Sequence, residues 1–384
     1  MRPKILFILA VLLSVASAIV IDQREARAGE VSPTSGYKVL EPIRHGNLTV
    51  FPVVATKTYA TNEFLTLDEG LRSGEVVVTE AGSVQGLVRR HGAPIHRYDA
   101  AEVNRLVLVN NSTRPLLLLA GEIVSGGKQD RVIGKDRIVP AESDPIDLGV
   151  FCVEPGRWVA SSDHFGASEA MYGGKSGGSV GGPVPMAMMA QPSVRGKAMA
   201  DKNQQEVWDA VNKQKTVMAE TVEVAGAPTL VQSELAQTSS YAKVNENAEV
   251  RKQVDEIVKP IEHNYESLIR QLRDRNAVGV VVAVNGKIIW ADIFASTDLL
   301  AKYWPKLVRS YASEAIVTRA KESEVGVSQA QSFLADMEGR REMIESEPGV
   351  YRHTEVTGDG FKAFALTSLL PKTGFEVHVA KMAD

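Results

Sequence analysis

Cysteine is almost absent from this 384-residue chain, since Cys152 is its single example. An intramolecular disulfide and a structural zinc site made of several cysteines are therefore excluded. None of the seven histidines shows a metal-ligand spacing such as HExxH, so no metal site is predicted. Cys152 itself lies in an apolar run of strand-like composition, residues 150–153, which indicates a buried thiol rather than a reactive one.

Long apolar runs are lacking everywhere except at the start of the chain. Arg2 and Lys4 precede the apolar stretch 5–21, and small-residue cleavage patterns end at Ala18 and Ala28. This arrangement predicts a signal peptide at residues 1–28, with cleavage after Ala28 favoured over Ala18. The chain is then expected in the periplasm or secreted, with no membrane span after signal removal. An uncleaved signal that anchors the protein is the alternative.

A strong excess of charge is also lacking. The formal net charge is −4, and the leader contributes four basic and two acidic residues, so the remainder carries −6. A mildly acidic chain does not suit a nucleic-acid partner. A small-molecule or envelope ligand is the expected partner, whereas the sequence identifies neither a cofactor nor a protein partner.

Short apolar segments bounded by turn residues dominate residues 37–162. They predict strands at 47–56, 75–79, 102–110, 116–120 and 146–154, with a short helix at 67–72 that Thr66 caps. Closely spaced strands of this kind are typical of a β-rich domain built as a sandwich or a barrel-like sheet.

Residues 163–195 are rich in glycine and methionine and predict a flexible linker or a flap. Residues 196–384 predict an α+β domain in which long helices pack on an antiparallel sheet. Asn285-Gly286 between two apolar runs is the strongest hairpin signal in that part. The predicted helices cover 197–223, 245–275 (kinked by Pro260), 297–319 and 328–338.

The best candidate site is the segment 116–131, LLLLAGEIVSGGKQDR. Glu122 ends an apolar run, where burial or a nearby cation would shift its pKa. The turn with Lys128 and Gln129, followed by Arg131, could form a nest of backbone N–H groups for an anion. The alternatives are a structural ion pair of Glu122 with Arg131 or Lys128 and a plain hairpin turn.

A second strand end carries Glu154, Arg157 and Trp158, a combination typical of pocket walls. If the two strands are neighbours, Glu122 and Glu154 would share one mouth and could act as acid and base. The alternative is an Arg–Glu ion pair stacked on a packed tryptophan.

The helix at 297–319 has an aromatic and basic face that includes Trp304 and Tyr311, seven residues apart. Core packing against the hairpin is the favoured interpretation, and aromatic ligand stacking is the alternative.

These motifs together resemble a bacterial domain family of unknown function, the ARG-and-rhodanese-phosphatase-superfamily-associated protein domain. The resemblance covers roughly residues 39–320. It implies genomic association with ADP-ribosylglycohydrolases and phosphatases, and a ligand with phosphate or ribose character, without an established activity. The export signal and the 166–182 glycine-rich insert depart from the family pattern. The matching segments are 42–52, 66–69, 118–122 with 127–131, 152–158, 284–286 and 304–311.

Two functions follow from the sequence. The first is an exported protein that binds an anionic or sugar- or phosphate-bearing ligand at the strand ends through Lys128, Gln129, Arg131, Arg157 and Trp158. The second is a hydrolase of glycosidic or phosphoester bonds, with the carboxylates named above as acid and base. No convincing nucleophile or metal set supports the second, so binding is preferred.

Overall fold

The computed structural model describes most of the chain from residue 36 onward. The predicted signal peptide at 1–28 lies outside the described residues, and so do Arg157 and Trp158. Residues Tyr37–Asp384 form one compact unit. The described residues are 36–81, 87, 104–156, 162, 164–166, 171–172, 184–185, 188–271, 276–318 and 324–384.

Strands and helices both contribute large parts of the described fold. The strands are β1 (Tyr37–Val39), β2 (Ile43–His45), β3 (Leu48–Ala55), β4 (Leu65–Thr66), β5 (Val76–Glu80), β6 (Arg105–Asn110), β7 (Leu116–Leu118), β8 (Glu122–Gly126), β9 (Arg131–Ile133), β10 (Arg137–Val139), β11 (Ile146–Cys152), β12 (Phe165–Gly166), β13 (Met171–Tyr172), β14 (Val184–Pro185), β15 (Met188–Met189), β16 (Asn276–Val284), β17 (Lys287–Phe294), β18 (Arg340–Glu347), β19 (Tyr351–Gly358), β20 (Phe361–Ser368) and β21 (Glu376–Ala383). The helices are α1 (Leu67–Ser73), α2 (Pro192–Gly196), α3 (Gln204–Val224), α4 (Thr229–Gln237), α5 (Tyr241–Glu246), α6 (Ala248–Gln271), α7 (Thr297–Val317) and α8 (Val327–Ala335), with a π-helical turn at Lys197–Asp201.

The N-terminal β-rich part contains a closed six-stranded barrel, which confirms the barrel-like prediction. The ring runs β12-β5-β6-β11-β9-β8, and β12 also pairs with β8 to close it. Buried aliphatic side chains and Phe165 fill its interior. The short helix α1 begins at the predicted cap, where the Thr66 side chain accepts from the backbone of Glu69 and the Glu69 side chain accepts from the Thr66 backbone.

A nine-stranded antiparallel sheet forms the second layer, in the order β1-β3-β16-β17-β21-β20-β19-β18, with β2 paired to β3. The predicted hairpin joins β16 and β17, and Asn285 and Gly286 adopt φ angles of 52° and 71°. Because β1 to β3 belong to the same sheet as β16 to β21, this sheet crosses the sequence-based division between 37–162 and 196–384.

Long helices cover one face of this sheet, as the α+β prediction required. Trp304 and Tyr311 of α7 are buried, and Trp304 stacks on Tyr265 of α6 with ring centroids 4.3 Å apart. On the other face, α8 packs through Ala330 and Leu334.

Two predicted helices are divided at residues that leave the helical conformation. Asn247, with ψ of 134°, separates α5 from α6. Lys202, with φ of 52°, separates the π-helical turn from α3. Asn203 then caps α3, since its side chain accepts from Gln205 N and Glu206 N. No helix in the described ranges combines the length and apolarity that a membrane crossing requires.

Candidate functional site

The turn at 119–122, which the sequence singled out, connects two buried groups of charged side chains. The Leu119 backbone donates to Glu122 Oε2 at 2.8 Å, and the Ala120 backbone donates to Asp136 Oδ1 at 2.8 Å. Gly121 adopts φ of 93°, and a Cβ there would lie 2.7 Å from Cδ of Arg195. The turn therefore needs a glycine both for its backbone angle and for the guanidinium stem that passes over it.

The first group, which we name the lysine cluster, consists of Asp68, Glu122 and Lys306. The Lys306 ammonium lies 2.6 Å from Asp68 Oδ2 and 2.5 Å from Glu122 Oε1. It also lies 4.5 Å from the centre of the Tyr303 ring, whose hydroxyl donates to the Leu117 carbonyl. The cluster joins α1, the 119–122 turn and α7.

Burial and the charges of the three partners together set the protonation of the lysine cluster. Burial lowers the pKa of a lysine, but Asp68 and Glu122 outweigh that effect and raise the pKa of Lys306 above its ordinary value. Burial raises the pKa of Glu122, and the Lys306 charge opposes this only in part. Since two carboxylates face one ammonium, uptake of a proton by Glu122 would remove the remaining negative charge.

The second group, which we name the histidine cluster, lies on the other side of the same turn. His378 Nδ1 lies 2.6 Å from Asp136 Oδ2, and His378 Nε2 lies 3.1 Å from Asp292 Oδ1. Arg195 Nη1 donates to Asp292 Oδ2 at 2.9 Å, and the Tyr311 hydroxyl donates to the same oxygen. The cluster joins α2, β17, α7 and β21 to Asp136, which directly precedes β10.

The histidine cluster is close to electrically neutral. Burial lowers the pKa of His378, but Asp136 and Asp292 outweigh burial and raise it to about 8. Burial raises the pKa of Asp292, yet Arg195 and His378 hold it well below its ordinary value. Two carboxylates therefore face two cations at neutral pH. None of these four side chains has more than 1% of its area exposed, so in this conformation they link elements rather than contact a solute.

The predicted anion-binding residues lie mostly below the surface. Gln129 and Arg131 are buried, whereas Lys128 is half-buried and its backbone donates to Glu80 Oε1 at 2.9 Å. The Glu154 side chain accepts through Oε2 from the Asp130 backbone N–H at 3.1 Å. The Glu154 backbone carbonyl accepts from Gln129 Nε2 at 3.2 Å. The structure thus brings Gln129 and Glu154 together around one turn.

Glu122 and Glu154, predicted as acid and base, take different partners. Glu122 is 0% exposed and bonded to α7 through Lys306, while Glu154 is 3% exposed and bonded to the turn after β8. Neither side chain lines either of the two cavities described below. The acid–base pairing stays a prediction. Arg157 and Trp158, which were predicted to bind the ligand, lie outside the described residues.

A groove of about 570 Å³, which we name the polar groove, lies between α2, α3 and the C-terminal end of α7. This volume is within the range of small-molecule sites. It is lined by Gln191, Ser193, Lys197, Glu206, Asp209, Ala210, Lys213, Gln214, Val217, Glu220, Glu314, Val317 and Thr318.

Two glutamine side chains give the polar groove its unusual chemistry. Gln191 and Gln214 are each 1% exposed, and no hydrogen-bond donor reaches the side-chain oxygen of either. Gln214 Nε2 donates to Asn245 Oδ1 at 3.4 Å, and Asn245 Nδ2 donates to the Tyr241 carbonyl. This chain of donors fixes the Gln214 amide with its oxygen unpaired.

A third acceptor stands on α7. Glu314 is 9% exposed, accepts from the Ser193 backbone at 2.9 Å through Oε2, and accepts weakly from Thr318 Oγ1 at 3.4 Å through Oε1. Burial raises its pKa, and these hydrogen bonds together with Lys213 oppose that rise in part. Gln191 Nε2 donates to Ser193 Oγ at 2.8 Å, so Gln191 and Glu314 are both hydrogen-bonded to the same serine.

The polar groove was not predicted from the sequence. The apolar stripe of α3, with Val207 and Val211, was visible, but the opposite polar stripe resembles an ordinary solvated face. A signal was present, because the lining positions recur every three or four residues at 206, 210, 213, 217 and 220. Residues near 191 and 314 gave no comparable pattern.

Two further features of the described residues bear on ligand and metal binding. A smaller cavity of about 280 Å³ lies beside β5 and β12, and Asp68 reaches its wall together with Arg72 and His164. Over the parts of the chain that the structure describes, no group of three or more His, Cys, Asp or Glu side chains could hold a metal ion.

A family model described as the ARG and Rhodanese-Phosphatase-superfamily-associated Protein domain matches residues 36–381. The match covers nearly the whole chain, so the chain belongs to this family. No curated protein and no solved structure matches the chain.

Proposed function

We propose that this member of the family is a binding protein for a small molecule, and that the polar groove is its site. The observation that carries the proposal is the pair of buried, unpaired oxygens of Gln191 and Gln214. Leaving a buried acceptor without a donor costs about 1–3 kcal/mol. A ligand that donates to both oxygens would remove this cost.

The surroundings of Gln191 support a built site. Its backbone donates to the Tyr241 hydroxyl at 3.0 Å, and the preceding Ala190 donates to the Gly121 carbonyl at 2.7 Å. The 119–122 turn thus holds the residue that precedes Gln191 in place. The adjoining π-helical turn, which places Lys197 on the groove wall, is a feature frequent at functional sites.

Two finer statements from the sequence are part of the proposal. The protein would act after export, because an apolar leader with cleavage patterns precedes the fold. The strand ends near Lys128 would be a second, anion-specific place for a ligand. Cell fractionation and N-terminal sequencing of the expressed protein test the first statement, and a mature chain that begins at Met1 in the cytoplasm would contradict it.

A thermal-shift screen tests the binding proposal, because a ligand that binds the folded state raises its melting temperature. The screen covers sugars, amino sugars, sugar phosphates, nucleosides, ADP-ribose, polyamines and muropeptides. Each hit is repeated on Gln191→Met and Gln214→Met, which keep the side-chain length and remove the acceptor. We expect the shift to disappear in both variants.

Gln237→Met is the matched control, since this exposed amide on α4 lies outside the groove. It should keep the full shift. A hit that both groove variants retain but Lys128→Ala loses would place the ligand at the strand ends instead. A screen with no groove-dependent hit would contradict the proposed function.

A further inference from the structure

The lining of the polar groove has a definite charge preference. Four carboxyl groups and two lysines line it, so its formal charge is −2. Lys197 is also engaged, because its ammonium lies 2.7 Å from Asp201 and 3.0 Å from Glu206. An anion in this groove would face carboxylates and unpaired carbonyl oxygens, whereas a cation would be attracted by both.

The unpaired groups are acceptors rather than donors. Gln191 and Gln214 each present a buried oxygen without a donor, and Glu314 Oε1 has only the 3.4 Å contact from Thr318. An ammonium group has three donors and no acceptor. It therefore matches this set, while a phosphate or a carboxylate, which brings only acceptors when ionised, does not.

The three acceptors are tied into one framework. Ser193 connects Gln191 to Glu314, since its hydroxyl accepts from Gln191 and its backbone donates to Glu314. Tyr241 connects Gln191 to the α5 residue Asn245 that holds Gln214. Their side chains are fixed by the protein before any ligand arrives, which lowers the entropic cost of binding.

We infer that the ligand of the polar groove carries a protonated primary amine, held by Gln191, Gln214 and Glu314. This inference rests on the proposed function and names its ligand class. Additional hydroxyl or amine donors on the ligand would bind the carboxylates of Asp209 and Glu220 along α3, which line the same groove. The inference departs from the anionic ligand that the strand-end motif suggested.

Three probes that share one sugar ring test the charge preference: glucosamine, glucose and glucose 6-phosphate. Their dissociation constants are measured by ligand-observed NMR titration at neutral pH. We expect glucosamine to bind about tenfold more tightly than glucose, because a charge-assisted hydrogen bond replaces a neutral one. Glucose 6-phosphate should bind more weakly than glucose.

Two variants and a control locate the effect. Glu314→Gln keeps an oxygen for the Ser193 backbone and removes the charge, so it should reduce the glucosamine preference to about twofold or less. Gln214→Met should weaken glucosamine binding without reversing the order of the probes. Glu223→Gln, an exposed carboxyl outside the lining, should leave the preference unchanged.

The outcomes separate the inference from the proposed function. Equal binding of glucosamine and glucose, tighter binding of glucose 6-phosphate, or a preference that survives Glu314→Gln would overturn the amine inference and leave the function intact. If none of the probes binds, the amine inference is also overturned, and the function then stands or falls on the wider screen. Circular dichroism confirms that each variant is folded.

Discussion

The buried charge clusters and the polar groove differ in how their buried polar groups are paired. In the lysine and histidine clusters each buried carboxylate faces a cation within hydrogen-bond distance. In the groove, the Gln191 and Gln214 oxygens are equally buried and face no donor. Every carboxylate of the clusters thus has a counter-ion, although Nε and Nη2 of Arg195 lack hydrogen-bond partners, whereas both groove amides present an oxygen that no donor reaches.

The difference also explains why residues with perturbed pKa values do not mark the proposed ligand site in this protein. Perturbed pKa values mark functional sites only when the group can meet a solute. Glu122 and His378 are perturbed because they are enclosed among partners that they hold together. Gln214 does not titrate, yet its buried oxygen lacks the hydrogen-bond donor that a ligand could supply.

The largest expected effect comes from removing the cation of the lysine cluster. Lys306→Met leaves Asp68 and Glu122 buried without a counter-ion, which should destabilise the fold by about 3–5 kcal/mol. Urea unfolding measures this loss. Lys302→Met, one turn earlier on α7, breaks only the partly exposed pair with Glu69 and should cost less than about 1 kcal/mol. Similar losses for both variants would contradict the structural role of the cluster.

The turn between the two clusters should be the next most sensitive point. Gly121→Ala forces an L side chain into φ of 93° and against Arg195, so we expect a loss of about 2–3 kcal/mol. Gly149→Ala is the control, because nothing lies within 4 Å of a Cβ there. If both variants unfold at the same urea concentration, the close approach of Arg195 to the turn is wrong.

The histidine cluster predicts that stability falls as pH rises. The folded-state pKa of His378 is raised to about 8 from 6.5, so its contribution is complete below pH 6.5 and lost through pH 8. The loss over this window is on the order of 2 kcal/mol. His378→Gln should flatten the urea-midpoint profile, whereas His263→Gln, an exposed histidine, should keep its slope. The titratable and charged groups around His378 are Asp136, Arg195, Asp292, Tyr311 and His353.

None of those neighbours produces the same trend between pH 6.5 and 8. Burial lowers the pKa of His353, so the stability linked to it is lost below pH 6.5. Asp136 and Asp292 have lowered pKa values, and their contributions are lost only in acid. A urea-midpoint profile with the same slope in the wild type and in His378→Gln would show that His378 is not the source of the trend.

The smallest effect on stability is expected in the groove. Gln214→Met removes an unpaired oxygen and one 3.4 Å hydrogen bond, so the free energy of unfolding should change by less than about 1 kcal/mol in either direction. The same variant should lose its ligand-induced thermal shift. A loss of several kcal/mol would mean that Gln214 supports the fold, and the contrast with the clusters would disappear.

Local patterns predicted the elements of this fold well. The Thr66 cap, the Asn285-Gly286 hairpin and the burial of Cys152 each depend on neighbouring residues, and the structure shows all three. The 119–122 turn, which the sequence singled out as the best candidate site, carries Glu122 in a buried pair with Lys306, and its role as a site stays a prediction.

The clusters and the groove could not be predicted in the same way. His378 and Asp136 are 242 residues apart in sequence, and Lys306 and Glu122 are 184 apart. Each of these residues resembles a surface position when it is read alone. Lys306 was predicted only as part of a basic helix face, since nothing local indicates that carboxylates from α1 and from the start of β8 lie beside it. Unpaired oxygens are still harder to predict, because they depend on the absence of hydrogen-bond donors from distant parts of the chain.

The pairing of β3 with β16 has a consequence for the order of synthesis. Val50 lies opposite Val282, so β3 leaves the ribosome long before its central partner exists. At about 5–20 residues per second, the wait is roughly 10–50 s. During that time one edge of β3, whose eight residues are all buried in the folded protein, has no hydrogen-bond partners. We therefore expect residues 48–55 to be the segment of the nascent chain most prone to pair with other strands until residues 276–284 have been made.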